Sequence, residues 1–127
     1  MAKQINWSYS VEVVGGTRMR DSKTMLAEAV DEIDLSIDAG DTVEVEVQPG
    51  GADVTFLLIQ ADPYGEDVTY KVNDATADAR TLDGPHLLIG KGAAGLLDSA
   101  PATLFIDNAL TNDPVSISIL VGREATP

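Results

Sequence analysis

The chain contains no cysteine, which excludes disulfide staples, thiolate nucleophiles, iron–sulfur clusters and zinc fingers. Basic residues are scarce: eight Lys and Arg stand against twenty-one Asp and Glu, a net charge of −13, with a single histidine. Binding to a phosphate backbone draws its affinity from Lys and Arg, so nucleic acid is not an expected partner. Long apolar runs are missing too. The longest, around Phe56–Ile59 and His86–Gly90, fall well short of the ~18 to 20 residues that a membrane helix needs, and no membrane association is expected. The opening MAKQINWSYS has a charged start without the apolar stretch of ~7 to 15 residues that makes a secretory signal. Synthesis in a cytoplasm without signal-peptide export is therefore expected, and the sequon Asn6-Trp7-Ser8 carries little weight. There is no internal repeat, low-complexity segment or linker.

What is present points to one β domain spanning residues 1–127. A chain of 127 residues with 44% hydrophobic content can bury roughly two-thirds of its unfolded surface around a single core. The organising stretch is Leu35–Val72, in which LSID, TVEVEVQ, VTFLLIQ and VTYKV are divided by AGD, PGGAD and ADPYGED. Val43, Val45 and Val47 alternate with Glu44 and Glu46, the period of a half-buried strand. With Ile33, Leu35 and Ile37 before the Ala39-Gly40-Asp41 turn, this reads as a hairpin. Val54–Ile59 is apolar on both faces, as expected of a central strand or of one whose outer face another subunit covers. Pro49-Gly50-Gly51 and Asp62-Pro63-Tyr64-Gly65 read as turns, the second with the residue preferences of type I.

The remaining segments fit the same pattern. Ile5, Trp7, Tyr9, Val11 and Val13 alternate with Asn6, Ser8, Ser10 and Glu12, and Gly15-Gly16 ends that strand. Ser22–Val30 is ambiguous. Met25, Leu26, Ala29, Val30 and Ile33 recur at helical spacing behind a Ser22 N-cap, whereas a strand places Leu26 and Val30 on one face. Extended structure is preferred because the neighbouring segments are β and the sheet needs a partner there. Val68–Val72, His86–Ile89, Thr103–Asp107 and Val115–Val121 supply further short strands, with Thr111–Pro114 as the last turn. The expected fold class is all-β, an antiparallel β-sandwich or jelly-roll-like domain of roughly seven to nine short strands and at most one short helix.

Each candidate for chemistry has a plainer explanation beside it. Gly90-Lys91-Gly92-Ala93-Ala94-Gly95 matches G-x-G-x-x-G, but a dinucleotide site needs a long helix opening at the third glycine within a βαβ unit. Pro101 stops any helix here, so a flexible or partner-contacting loop is expected and no cofactor. His86 is the one residue through which a Ser-His-Asp mechanism could run, yet it sits at a strand start without a nucleophile elbow. No catalytic residue is nominated and the chain is not expected to be an enzyme. Calcium is the most reasonable metal, with Asp38 and Asp41, and Asp62 with Glu66 and Asp67, as candidate ligands, although Asp in a turn commonly serves turn geometry. Trp7 and Tyr9 could form a sugar-binding platform, but both fall on the inward set of their strand, where core packing is expected.

The charges are polarised. Between Lys23 and Lys71 there are twelve acidic residues and no basic one, while Arg18, Arg20 and Lys23 cluster just before that block. Such a subunit can pair with copies of itself or dock on a basic partner. At the level of a class, the opening INWSYSVEVV, the central IDLSIDAGDTVEVEVQPGG and the closing DPVSISILVGR resemble the small β-sandwich cement or decoration proteins on the capsids of tailed-phage virions. That resemblance implies a non-enzymatic structural subunit of a virion. It would bind itself as a homo-oligomer and a larger shell protein such as a major capsid protein. Strand edges, chain tails and apolar outer faces such as Leu57 and Ile59 would make the contacts, with avidity from symmetry. The alternative is a β-sandwich ligand-binding module for glycan or calcium.

Overall fold

The computed structural model describes residues 3–47, 53–97 and 101–124. The expected Pro49-Gly50-Gly51 turn and the chain tails lie outside these residues. Ten strands and one single-turn helix are found among the described residues: β1 (Lys3–Glu12), β2 (Arg18–Ala27), β3 (Ala29–Ile37), β4 (Thr42–Glu46), β5 (Val54–Asp62), β6 (Val68–Val72), β7 (Arg80–Thr81), β8 (His86–Ile89), α1 (Lys91–Ala94), β9 (Thr103–Asn108) and β10 (Val115–Arg123). The ambiguous stretch from Ser22 is extended, divided between β2 and β3. Cross-strand pairing satisfies its backbone there, which a helix would have had to do alone.

Eight strands form a sandwich of two antiparallel sheets, in the orders β3-β10-β5-β8 and β4-β9-β6-β7. Of the consecutive pairs from β3 to β10, only β6 and β7 are neighbours in one sheet. Every other connection crosses from one sheet to the other, which is the winding of a jelly roll. The hairpin expected from Ile33–Ile37 and Val43–Val47 is therefore corrected: β3 pairs with β10 and β4 with β9, in different sheets. The Ala39-Gly40-Asp41 turn is an arch between layers. Alternation alone cannot tell a hairpin from an arch, because each puts one apolar face on the core.

The core lies between the sheets. Ile37, Leu57, Ile59, Ala61, Val115, Ile117, Ile119 and Val121 of the first sheet meet Val45, Val68, Tyr70, Val72, Leu104 and Ile106 of the second. Asn108, at the end of β9 and fully buried, ties the layers polarly. Its amide nitrogen donates to the carbonyls of Ile37 and Asp113, both at 2.9 Å, and its side-chain oxygen accepts from the backbone of Leu110 at 2.9 Å. Its backbone brackets the arch as well, with Gly40 N–H donating to its carbonyl and its own N–H to that of Asp41. A buried amide with three such bonds leaves little of its hydrogen-bonding capacity unmet. The cis Asp62–Pro63 peptide lies at this same end, and at the other end of the sandwich Arg123 pairs with Asp31.

β1 and β2 stand apart. Among the described residues they pair only with each other, over ten residues from Lys3↔Ala27 to Glu12↔Arg18, and close through a tight turn in which Gly15 has φ +79° and Gly16 N–H bonds Val13 C=O. Strands of that length reach about 33 Å.

Candidate functional site

The register of this two-stranded arm divides its side chains cleanly. One face carries Ile5, Trp7, Tyr9 and Val11 on β1, opposite Met25, Lys23, Asp21 and Met19 on β2; the other carries Asn6, Ser8, Ser10 and Glu12 opposite Thr24, Ser22, Arg20 and Arg18. The first is largely apolar and the second polar, as alternation on a pleated ribbon requires.

The apolar face has a seat along only half its length. At the root, Ile5 and Ala27 are buried against Phe56 on the outer face of the first sheet, with Trp7, Met25, Val30, Leu58, Ile89 and Leu120 packed around them. Gly122 makes the close approach feasible: a Cβ there would lie 2.8 Å from Ile5 Cδ1 and 3.2 Å from Phe56 Cβ. Beyond Trp7 the same face meets only solvent. Tyr9 is 40% exposed, Val11 61%, Met19 64% and Val14, at the tip, 95%. Apolar side chains grouped in this way on a projecting ribbon are the signature of a contact surface, whereas single exposed ones are commonplace.

Two expectations are corrected here. Leu57 and Ile59 are fully buried between the sheets, so neither can belong to an apolar outer face. Along β5 the outward residues are Phe56 and Leu58, one position out of step with those named, and the cover over Phe56 is the chain's own arm. Of the two aromatics expected to pack in the core, Trp7 does so in part, half-buried against the cluster at the root, whereas Tyr9 is exposed, with their rings stacked at 6.1 Å between centroids and 4° between planes. An inward set of a strand is defined by what lies beneath it, and beneath Tyr9 there is nothing.

Arg18, Arg20 and Lys23 are all exposed on β2 of the arm. Arg18 is held by Glu12, its cross-strand partner, at 2.6 Å. Lys3–Ala27 holds four of the eight basic residues and two of the twenty-one acidic ones, a net +2, which leaves −15 on the rest of the chain. Some of that negative charge borders the outer face of the first sheet, where Glu32, Asp34, Leu58, Gln60, Ser118 and Leu120 line a shallow depression of about 160 Å³ beside the arm's root.

The other candidates are scattered. Asp38, Asp41, Asp62, Glu66 and Asp67 are exposed, and among the described residues no three acidic or histidine side chains converge on a metal-sized space. Asp38 and Asp41 instead shape the arch, where Asp41 N–H bonds Asp38 C=O at 3.0 Å. The Gly90–Gly95 segment forms the single turn α1 after β8, with no following helix among the described residues to meet a pyrophosphate. His86 opens β8, its Nδ1 hydrogen-bonded at 2.6 Å to the hydroxyl of Tyr70 on the opposite sheet. Burial pushes the Tyr70 phenol up to about 12, against the opposing pull of Arg80. Thr42, Thr69, Lys71, Phe105 and Asp107 line a cleft of about 450 Å³ on the outer face of the second sheet, where the Thr42 hydroxyl donates to Asp107 at 2.7 Å. Sequence reading missed this cleft and Asn108, since both depend on strands far apart in the chain.

No protein-family model matches this sequence, and no characterised protein or solved structure is significantly similar to it.

Proposed function

We propose that this chain is a non-enzymatic structural subunit that binds and stabilises a larger protein assembly, as a cement- or decoration-type subunit of a virion capsid. One observation carries the reading: a jelly-roll body holds out a two-stranded arm whose apolar face is seated for half its length and bare for the rest. A free hairpin is marginal in water. An arm anchored at its root is already half organised, so a partner that covers the tip gains apolar burial at a small ordering cost. The exposed edges of β1 and β2 add unpaired backbone groups that an extended segment can pair with. On a symmetric shell many weak arm contacts sum to tight attachment. Mass spectrometry of particles purified from the source of this sequence tests the reading. The chain is expected at a fixed ratio to the major shell protein, and its absence from purified particles would sink it.

A second reading rests on the near-coplanar Trp7 and Tyr9 rings, a surface that can stack on a sugar ring. Binding on a glycan array that disappears in Trp7→Ala would favour it, and an array without signal would remove it.

A further inference from the structure

The arm's tip and the depression beside its root complement each other, and only one copy of each is present per chain. The tip offers Tyr9, Val11 and Met19, with Lys23 and Asp21 on the same face of the ribbon and Arg18 and Arg20 on the opposite one. The depression offers an apolar floor of Leu58 and Leu120 and an acidic rim of Glu32 and Asp34, both exposed. The root already shows which surface this apolar ribbon face fits, since Ile5 and Ala27 sit on Phe56 of the same sheet. A chain's own tip does not cover its own depression, since Tyr9, Val11 and Met19 are exposed and none of them lines it. The depression of a neighbouring copy is open to it.

We propose that the distal half of the arm docks on the outer face of the β3-β10-β5-β8 sheet of a second copy of this chain. Apolar tip residues would cover Leu58 and Leu120 while Lys23, on the same ribbon face, would lie towards Glu32 and Asp34, and Arg18 and Arg20 on the opposite face would add to the arm's positive field. The charge division supports this occupant: an arm of net +2 meets a body of −15, so arm-to-body contact is attractive where body-to-body contact is repulsive. Half of a two-stranded ribbon is well below the ~800 Å² per partner of a standard interface, so one contact is weak and acts through repetition. This names a partner within the assembly proposed above and depends on that reading only for its biological setting.

Sedimentation equilibrium of the full chain, at concentrations up to about 200 µM, tests it. The wild type is expected to self-associate, less so in about 500 mM than in about 50 mM salt, because exposed charges are screened. The triple variant Tyr9→Ser/Val11→Ser/Met19→Ser and the double variant Glu32→Lys/Asp34→Lys should each be monomeric, with melting curves close to wild type, as all five residues are exposed. An equimolar mixture of the two variants retains one good tip and one good face, and should form a heterodimer. A wild type that stays monomeric throughout would overturn the proposal, as would variants that associate like wild type or a mixture that gives no complex. Copurification with particles is a separate readout: a chain found on particles yet monomeric in solution overturns this inference alone, and one that self-associates but is missing from particles overturns only the assembly reading.

Discussion

The sandwich and the arm are built from the same material and come to opposite ends. β10 and β1 both alternate apolar and polar residues over nine or ten positions. In β10, Val115, Ile117, Ile119 and Val121 are all buried, because a second sheet lies across them. In β1, only Ile5 is buried, Trp7 is half-buried, and Tyr9 and Val11 are exposed. The difference is the presence of an opposing layer. A residue pattern states which side chains would gain from cover, and the fold decides which of them receive it.

The largest expected effect that sharpens this contrast is Leu57→Ala, which removes a side chain wholly enclosed between the sheets. Urea unfolding should show a loss of about 2–5 kcal/mol. Asn108→Ala should follow at about 3 kcal/mol, since it strands the buried carbonyl of Ile37 and the part-buried Asp113 carbonyl and Leu110 N–H. A loss below about 1 kcal/mol would mean that water replaces the amide.

Alkaline titration should also act on the sandwich, through Tyr70. The Tyr70 phenol is raised from 10.0 to about 12, so between those values the folded state holds a proton that the unfolded state has released. The resulting stability is complete below pH 10 and falls as pH rises towards 12, by about 2–3 kcal/mol. In Tyr70→Phe, that part of the pH dependence should disappear from the melting curves.

Smaller still is Gly122→Val, which puts a side chain where Ile5 seats the arm on Phe56. About 1–2 kcal/mol is expected, with the emission of Trp7 shifting to the red as the root lifts. If emission stays unchanged, the arm does not depend on that seat. Single substitutions to Ser at Tyr9, Val11 or Met19 should change stability least, within about 0.5 kcal/mol. A larger loss at the tip would erase the distinction between arm and body.

Much of this molecule was legible in its sequence, for identifiable reasons. Period-two alternation at Val43–Val47, Val68–Val72 and Val115–Val121 is a local consequence of pleating, so strands were found where they lie. Glycine and proline marked most of the turns. The two-residue β7 was not anticipated, because Arg80-Thr81 carries no apolar alternation and is held by pairing with Thr69 and Tyr70. The arch at Ala39–Asp41 was read as a hairpin because pairing partners 65 residues apart, such as Thr42 and Asp107, leave no local trace. Parity is silent at β5, where a run apolar on both faces does not say which face looks inward: Leu57 and Ile59 face the core, and Phe56 and Leu58 face out.

Residue chemistry alone makes this an all-β chain, free of disulfides, with three of its eight basic residues clustered at Arg18, Arg20 and Lys23 and an acidic block without a basic residue from there to Lys71. Those properties follow from residue chemistry and from the two-residue period of a strand, both local. Only the tertiary structure decided that β1 and β2 leave the sandwich as an arm and that Gly122 seats its root. Tertiary packing alone, likewise, left Tyr9, Val11 and Met19 without cover. Burial is set by what lies opposite a side chain, and in a jelly roll that neighbour comes from a distant part of the chain.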